Sequence, residues 1–484
     1  MKKHVCIILP VIILLLFSTA SYAYIPYSGY TYDGFARAVP SAVGYEPTRT
    51  VYKDASGTVF FKSIEDISID KEGNIYLLDS ESGRIIKMDQ EYRILWILDK
   101  FATSDGIPYT LNKPQGFFIA GDTIYIADTD NSKILVLDQT GKIRKEITKP
   151  KSEIFPQEKD FKPQNVLADS VGNIYTIISG VFQGAATFDK EGEFIEFYGS
   201  NRVELTANLL SDFIWKKFVT DSMRDRMNRY VPLEYINFDV DKDNFIYTCT
   251  ARVSNSLGEL RKINPVGNNI WNMDNFGDLE VNYSKGSVVD TSFKDVEVDE
   301  KGFLFALDEA RKRIFMYDQD GEAVLIFGAK GNQMGTFQTP SLIESFHEKV
   351  YVYDSTKFNI TEFKPTEYGK KVVEAIQMYQ DGKYIESKSL WEDVLKRNSN
   401  NYQAYVGIGK ALFQTGNYKE AMEYYKLGGS KQQETLAFGE FRTKYIREHF
   451  SLFAGIIVVL ALGGILVINR KKLRIALTKR GMIR

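Results

Sequence analysis

Short runs of alternating hydrophobic and polar residues fill most of the chain, and turns rich in Gly, Asn and Asp separate them. The first unit of this pattern contains Asp66-Ile-Ser-Ile-Asp70, Ile75-Tyr-Leu-Leu-Asp79, Arg84-Ile-Ile-Lys-Met-Asp89 and Ile94-Leu-Trp-Ile-Leu98, with Gly73-Asn74 in its first turn. A period of two bounded by turn residues is typical of β-strands joined by hairpins. Each unit is therefore predicted to form a four-stranded antiparallel sheet.

The pattern recurs six times, and each copy has an aromatic residue at the centre of its second strand. These residues are Tyr76, Tyr125, Tyr175, Tyr247, Phe305 and Tyr351. Six consecutive sheets favour a β-propeller, because radial repetition protects the sheet edges. The sixth copy has three clear strands and stops at Lys364-Pro365, so the strand-like piece Thr48 to Lys53 is expected to supply its fourth strand. The predicted fold is thus mainly β, with a six-bladed propeller over residues 48–365.

The order Asp-x-x-Gly-Asn-Ile-Tyr-x-x-Asp followed by Arg-Ile resembles the NHL-repeat family of six-bladed propellers over about residues 60–365. The Asp that ends the aromatic strand is present as Asp79, Asp128, Asp308 and Asp354. It is absent after Tyr175 and Tyr247, so the third and fourth blades depart from the family pattern. The repeated Asp and Gly are interpreted as residues that fix turns and strand ends rather than as catalytic groups.

A long insertion separates the third and fourth copies of the pattern. Residues 201–230 carry apolar side chains at three- to five-residue steps, which predicts one or two amphipathic helices. Helices packed on the propeller edge are favoured over a lid that closes on a ligand, although long insertions are often functional.

Residues 366–430 contain two copies of a second pattern with a period of 34 residues. The matching positions are Ala375 with Gly409, Gly382 with Gly416, Tyr384 with Tyr418, and Trp391 with Tyr425, while Ala421 is a further small residue of the pattern. The period and these residue types resemble tetratricopeptide repeats. The resemblance implies two helical hairpins, capped by a juxtamembrane helix over 431–449, that form either a short spacer or a peptide-binding groove.

Both ends of the chain predict a membrane protein. Residues 1–23 have the basic start, apolar run and small residues of a signal peptide, with cleavage before Tyr24. Residues 450–468 are uncharged and long enough to cross a bilayer. The tail that follows, 469–484, holds seven Lys and Arg residues and no acid, beginning with Arg470, Lys471, Lys472 and Arg474. This bias places the tail in the cytoplasm and the bulk of the chain outside the plasma membrane, as a single-pass protein.

The charge and cysteine content exclude several classes of function. The chain has 484 residues and a net charge of -2, and its basic tail leaves the remaining body acidic. An acidic body argues against nucleic-acid binding. Cleavage before Tyr24 would leave Cys249 as the only cysteine of the mature chain, which excludes an intramolecular disulfide. The three histidines of the whole chain are too few for a multi-histidine zinc site once His4 is removed.

The start of each innermost strand supplies the candidate residues of the propeller channel. In metal-dependent propeller enzymes the ligands come from positions that here are Glu65, Gln115, Gln164, Ile236, Lys294 and Pro340. The next ring is Asp66, Gly116, Asn165, Asn237, Asp295 and Ser341. Asp66, Asn165, Asn237 and Asp295 are candidates for binding a cation or a sugar. A structural ring of hydrogen bonds is favoured, because buried polar side chains are usually satisfied by their neighbours.

The sequence favours a membrane-anchored extracellular binding or scaffold protein that engages a protein or a glycan. No nucleophile elbow, phosphate loop or paired metal-ligand motif is present, so a non-enzymatic role without a cofactor is expected. A calcium-dependent lactonase-like hydrolase with its site in the channel is the alternative. Partner assembly through the helical repeats is a third hypothesis. The Tyr-rich segment 24–47 and the layout as a whole resemble membrane-anchored NHL-repeat proteins of Gram-positive bacteria.

Overall fold

A computed structural model describes residues 25–199, 234–250, 259–271, 276–278, 281–282, 287–288 and 291–479. The chain is mainly β and forms a six-bladed propeller followed by six helices, which confirms the predicted fold class. It divides into two compact units: residues 43–366 belong to the first, while residues 30–42 join the helices after residue 366 in the second. The predicted signal peptide and the predicted helical insertion at 201–230 lie outside the described residues.

The strands of blades 1 to 3 follow the sequence pattern, and the chain before them adds two strands that the pattern does not predict. Three strands come first: β1 (Gly29–Tyr32), β2 (Ala38–Ser41) and β3 (Tyr45–Val51). Blade 1 is β4 (Ile64–Ile69), β5 (Ile75–Asp79), β6 (Arg84–Met88) and β7 (Ile94–Leu98). A ribbon of β8 (Phe101–Ala102) and β9 (Pro108–Tyr109) leads to blade 2. Blade 2 is β10 (Gly116–Ala120), β11 (Thr123–Asp128), β12 (Lys133–Asp138) and β13 (Ile143–Ile147), and a short 3-10 helix, Thr129–Asn131, follows β11. Blade 3 is β14 (Pro163–Ala168), β15 (Ile174–Ile178), β16 (Ala185–Phe188) and β17 (Phe194–Tyr198).

Blades 4 to 6 complete the ring. The described part of blade 4 is β18 (Tyr235–Val240), β19 (Ile246–Thr250) and β20 (Leu260–Ile263), followed by a ribbon of β21 (Val281–Asn282) and β22 (Ser287–Val288). Blade 5 is β23 (Phe293–Val298), β24 (Leu304–Asp308), β25 (Arg313–Tyr317) and β26 (Ala323–Phe327), and a parallel pair, β27 (Ala329–Lys330) and β28 (Thr336–Phe337), follows it. Blade 6 contains β29 (Pro340–Phe346), β30 (Lys349–Asp354) and β31 (Asn359–Pro365).

An N-terminal strand closes the ring, as the sequence predicts. β3 pairs antiparallel with β31, so the order in blade 6 is β29-β30-β31-β3 and the closing strand begins at Tyr45, slightly before the predicted piece. Arg49 lies opposite Glu362 in this pairing, and its Nε donates to Glu362 Oε1 at 2.6 Å. The same guanidinium stacks 4.9 Å from the centre of the Tyr92 ring and donates to the Gln90 carbonyl in blade 1. The Arg49 side chain thus links β3 to β31 within blade 6 and also links blade 6 to blade 1.

Turn aspartates explain why the sequence pattern repeats. Asp70 Oδ1 accepts the Asn74 backbone N–H at 2.8 Å, and Asp70 Oδ2 accepts the Tyr76 hydroxyl at 3.1 Å. Asp169 and Asp241 form the same turn, each with the tyrosine six residues later in the chain. The aspartate fixes the turn and the tyrosine ties the second strand to it. Blades 3 and 4 keep this device, although they lack the terminal Asp of the other blades.

The core of the propeller lies between neighbouring blades rather than at a common centre. One cluster joins blades 6 and 1 through Leu342, Tyr353 and Ile75, and similar clusters join blades 1 and 2, 2 and 3, and 3 and 4. Each blade therefore buries both of its faces against its neighbours, which is the physical reason that the ring must close.

The second unit contains six helices, which are α1 (Glu367–Gln380), α2 (Tyr384–Arg397), α3 (Tyr402–Gln414), α4 (Tyr418–Leu427), α5 (Lys431–Glu448) and α6 (Phe450–Lys479). The first four pack as two hairpins with the 34-residue offset of the sequence. Gly382 and Gly416 both have positive φ, +76° and +77°, in the turn between the helices of each hairpin. Gly409 leaves room for the Tyr425 ring, which a Cβ at that position would approach to 2.7 Å.

The β1–β2 hairpin packs on one end of these helices. Asn398 Nδ2 donates to Ser41 Oγ at 2.8 Å and to the Tyr368 hydroxyl at 3.0 Å, and Asn400 Nδ2 donates to the Pro40 carbonyl at 3.1 Å. Two helical hairpins are fewer than the three repeats usually needed for stability. The β1–β2 hairpin and α5 therefore supply packing contacts that a third repeat would otherwise supply.

Replacing Arg49 by Ala is expected to lower the free energy of unfolding of the propeller by about 2 kcal/mol, between the values for exposed and buried ion pairs. The reason is that Glu362, whose side chain is 3% exposed, loses its ion-pair partner at 2.6 Å, and the more distant Lys349 Nζ at 3.9 Å compensates in part. Urea unfolding of the full chain measures the change. Arg144→Ala is the matched control, because Arg144 forms an exposed pair at 3.5 Å with Asp138. An equal effect of the two substitutions would contradict the closing role of Arg49.

Candidate functional site

The innermost strands of the six blades surround the central channel of the propeller. These strands are β4, β10, β14, β18, β23 and β29, and each contacts the innermost strand of the next blade. All six run in the same direction around the channel, so the connections that lead into them lie at one end of the propeller. We call this end the loop face.

A β-bulge near the start of five innermost strands shapes the channel mouth. The pairing shifts between Ile64 and Asp66, and at the corresponding places in β14, β18, β23 and β29. Because two residues then oppose one on the partner strand, both Glu65 and Asp66 turn toward the channel. The bulges thus bring the predicted ring that contains Glu65 close to the predicted ring that contains Asp66.

One position of the predicted ring is wrong by one residue. In β29 the bulge contains Ser341, and Leu342 pairs with Tyr353 as Asp66 pairs with Leu78 in blade 1. Leu342 therefore occupies the ring position that was assigned to Ser341, and Ser341 the position assigned to Pro340. This shift of one residue arises from the turn between the first two strands. In blade 6 the turn is short, because Phe346 pairs with Lys349, whereas in blade 1 five residues separate β4 from β5.

The polar side chains of this ring bond to one another. Asn165 Nδ2 donates to Asn237 Oδ1, and Asn237 Nδ2 donates to Asp295 Oδ1. Asp295 Oδ2 in turn accepts the Ile343 backbone N–H at 2.7 Å. This series of hydrogen bonds connects blades 3, 4, 5 and 6 in order.

Asp66 makes the equivalent connection between blades 1 and 2. Its Oδ2 accepts the Phe117 backbone N–H at 2.8 Å, and its Oδ1 accepts the N–H of Ile67 at 2.9 Å. We call the four side chains Asp66, Asn165, Asn237 and Asp295 the channel belt. Since each of them makes a hydrogen bond to the neighbouring blade, they fix the spacing of the innermost strands.

Three further carboxyl groups lie deeper in the channel, on blades 4, 5 and 6. They are Asp239, Glu297 and Glu344, each two residues beyond a belt or ring position. Asp239 Oδ2 accepts the Val298 N–H at 2.8 Å, and Glu297 Oε1 accepts the Ser345 hydroxyl at 2.8 Å. These three residues are not among the channel residues predicted from the sequence. Strand alternation was the available signal, because residues two apart in a strand share a face.

The channel carboxyl groups hold protons more tightly than carboxyl groups in water. Burial raises the pKa of Asp295 to about 7 and the pKa of Asp66 well above its usual value. Burial, with the nearby charges of Glu344 and Asp239, raises the pKa of Glu297 well above its usual value. Glu297 and Asp239 are hydrogen-bonded to each other through their side chains, so one of them carries a proton.

The channel belt does not fit a calcium ion. Among the described residues, no group of three or more His, Cys, Asp and Glu side chains is arranged to hold a metal ion. Calcium needs six to eight oxygen ligands, but the belt oxygens face backbone and amide N–H groups. At the channel mouth, Glu65 lies near the cation of Lys294, which counteracts the effect of burial on the pKa of Glu65.

The two described histidines lie away from the channel belt, whereas Cys249 pairs with the belt residue Asn237. His347 is exposed in a turn of blade 6, and His449 belongs to the helical unit. Cys249 lies in β19 and is fully buried, and burial raises the pKa of its thiol far above the usual value. A buried thiol with a raised pKa is a poor nucleophile.

The predicted positions of the helical repeats have matching environments. Ala375, Trp391, Gly409, Ala421 and Tyr425 are buried, whereas Tyr384 and Tyr418 are half-buried at the starts of their helices. The predicted basic residues Arg470, Lys471 and Lys472 are exposed on α6, and Arg474 lies on the same helix.

Large apolar side chains are exposed on the loop face. Phe60 is 56% exposed, Ile107 62% and Ile154 66%, and Met334 and Phe358 are exposed on two further loops. Lys53 and Lys62 lie 5.7 and 5.8 Å from the centre of the Phe60 ring. Five separate connections thus present an apolar residue at this end of the propeller. Exposed apolar groups on loops of a rigid scaffold are typical of binding surfaces.

The propeller is expected to lose stability as the pH rises from about 4 to about 8, because carboxyl groups with a raised pKa bind protons more tightly in the folded state. Their contribution is complete below the pKa of the unfolded chain and is lost as the pH rises through the folded-state pKa, which is about 7 for Asp295. Glu344→Gln removes one ionisable carboxyl group from the set Asp239, Glu297 and Glu344. The stability of this variant should therefore depend less on pH, and the variant should be more stable than the unsubstituted protein at high pH. Thermal unfolding across the pH series measures it.

Glu153→Gln, at an exposed position in the connection between blades 2 and 3, is the matched control for this series. An equal change of the pH profile in both variants would show that the deep carboxyl group is not its source.

Comparisons with known proteins give structural likenesses only. No protein-family model matches the chain, and the comparison with curated proteins gives no match. Virginiamycin B lyase from Staphylococcus aureus is similar at 10% identity and a TM-score of 0.41, over 66% of this chain and 99% of that chain. A streptogramin B lyase has 12% identity and a TM-score of 0.39 over 67% and 98% of the two chains. A protein of unknown function from Bacteroides thetaiotaomicron has 14% identity and a TM-score of 0.40 over 68% and 80%. With TM-scores below 0.5, these likenesses say nothing about activity.

Proposed function

We propose that the protein is a membrane-anchored extracellular binding protein that engages a protein or a glycan through the loop face of its propeller. The observation that carries the proposal is the set of exposed apolar side chains on five separate loops of this face. The channel belt supports it in a second way, because its side chains hold the blades together. A rigid ring with exposed loops at one end is suited to recognition.

The proposal assigns the propeller to the NHL-repeat type and the two helical hairpins to the tetratricopeptide type. The turn aspartates with their tyrosines support the first assignment. The matched environments at a 34-residue offset support the second. In this proposal the propeller is the recognition module, and the helices connect it to the membrane.

The anchor in this proposal is α6. Residues Phe450–Leu473 are long and apolar enough to cross a membrane, and this segment is not buried by the rest of the described chain. The exposed cations Arg470, Lys471 and Lys472 follow the apolar stretch. By the positive-inside rule they belong on the cytoplasmic side of the plasma membrane. The propeller and the helical hairpins then lie outside the cell, and the predicted signal peptide would direct this topology.

The chemistry of the loop face indicates the kind of surface it would recognise. Phe60 has two lysines against its ring, so apolar contact and positive charge occur together. Such a combination suits a partner with an apolar patch beside acidic groups. Both an acidic protein surface and an acidic glycan meet this description.

The triple variant Phe60→Ser, Ile107→Ser and Phe358→Ser is expected to weaken binding by about tenfold or more, because buried apolar anchors supply most interface energy. The full chain in lipid nanodiscs, fluorescently labelled, is titrated onto intact cells of its own source. Protease treatment of the cells should abolish binding to a protein partner, and glycosidase treatment should abolish binding to a glycan.

The matched control changes three exposed apolar residues away from the loop face, Val171→Ser, Val266→Ser and Ile195→Ser, which are 73%, 83% and 47% exposed. Binding that survives the first triple variant, or that both triple variants abolish equally, would contradict recognition by the loop face.

A calcium-dependent lactonase-like hydrolase is the second candidate function. The observation in its favour is the deep group of Asp239, Glu297 and Glu344, in which burial raises the pKa of the adjoining Asp239 and Glu297. Such a pair resembles a general acid beside a general base. The commitment of the belt oxygens to N–H groups weighs against the calcium ion that this activity would need.

A further inference from the structure

The junction between α5 and α6 is a bend lined with aromatic rings. His449 alone separates the two helices, with φ −108° and ψ 18°. Tyr445 stacks on His449 with ring centres 4.3 Å apart and on Phe441 at 6.0 Å. Tyr445 also meets Phe453 edge-on at 6.3 Å. We call these four side chains the aromatic elbow.

The backbone leaves helical geometry at the junction, because His449 has φ −108° and ψ 18° where a helix has about −63° and −42°. The His449 carbonyl accepts the N–H groups of both Leu452 and Phe453. The side chains of Tyr445 and Phe453 meet across this interruption, with ring centres 6.3 Å apart. The elbow therefore fills the inner side of a bend that occurs where the apolar helix begins.

The half of α5 next to the bend exposes apolar side chains that its own unit does not cover. Ala437 is the buried residue of α5, where the helix packs against α4. Tyr445 and Ile446 are 46% and 44% exposed. The cations of Arg442 and Arg447 are exposed on the same part of the helix. Aromatic, aliphatic and cationic groups thus occur together within two turns.

We propose that Tyr445 and His449 of the aromatic elbow lie in the headgroup region of the outer leaflet, with Phe453 just below them, and that the adjoining half of α5 rests along the membrane surface. This inference depends on the proposed anchoring by α6. Tyrosine and its neighbours prefer the boundary between hydrocarbon and water, because their rings have an apolar body and a polar edge. Arg442, which is three and four residues before Tyr445 and Ile446 and so neighbours them on the helix surface, is placed to meet lipid phosphates.

Helix dimensions support this depth. A hydrocarbon core of about 30 Å takes about 20 helical residues, and the apolar stretch before Arg470 begins at Phe450. His449 and Tyr445 then fall just outside the hydrocarbon, in the layer of headgroups. A bend at this depth turns α5 from the direction of the membrane normal toward the membrane plane.

Spin labels on the full chain test this placement in nanodiscs of phosphatidylcholine and phosphatidylglycerol. Labels are attached at Ile446→Cys beside the elbow, Val459→Cys within the apolar helix, and Ile385→Cys on α2, all of which are exposed positions. Cys249 is buried and does not react, and Cys6→Ser removes the other cysteine. Collisions with oxygen report the hydrocarbon, and collisions with a water-soluble nickel complex report the aqueous phase.

The label at Ile446 is expected at headgroup depth, between the aqueous value at Ile385 and the hydrocarbon value at Val459. Adding Tyr445→Ser should raise the nickel accessibility of the label at position 446 to the value at position 385, because the central ring of the elbow is lost. Adding Tyr445→Trp should leave that accessibility unchanged. Helix content by circular dichroism confirms that both variants fold.

Two results would overturn the inference while leaving the anchor intact. In the first, Ile446 is as accessible to nickel as Ile385 while Val459 is in hydrocarbon. In the second, Ile446 is shielded from both reagents, which would mean that a protein partner or a second copy covers the elbow. An aqueous value at Val459 would instead remove the proposed anchor, and the elbow with it.

Discussion

The pairing of β3 with β31 is the constraint on which the propeller depends. Each blade buries its faces against the next blade, so an open ring would expose the core between blades 6 and 1. The closing strand comes from the other end of the domain, more than 300 residues earlier in the chain. Arg49 strengthens the closure because it contacts Glu362 in blade 6 and the turn of blade 1 at the same time.

The channel belt follows from the same geometry. Six strands that enclose a channel must place some side chains toward it, and polar groups there need hydrogen-bond partners. Asn165, Asn237 and Asp295 find these partners in the neighbouring blades, so the residues most suggestive of a metal site instead hold the ring together. In the proposed function, recognition is left to the loop face, where the chain exposes apolar groups that the fold does not use.

Local patterns in the sequence predict most of this fold, because strand alternation, turn aspartates and the 34-residue offset act over short distances. The strand near Thr48 is predictable as the closing strand because the sixth blade lacks one. Leu342 in place of Ser341 is not predictable, because a bulge and a short turn shift the register by one residue. The pair of Arg49 with Glu362 and the aromatic elbow join residues through three-dimensional geometry that periodicity does not reveal.

The central claim is that the channel belt is structural, and calcium tests it most directly. Thermal unfolding of the full chain in nanodiscs is compared with calcium and with a chelator, for the unsubstituted protein and for Asp66→Ala and Asp295→Ala. A bound ion stabilises the folded state by mass action. The account predicts equal melting temperatures with calcium and with chelator, and lower melting temperatures for both variants in either condition. A calcium-dependent rise that disappears in the two variants would contradict it and make the channel a metal site.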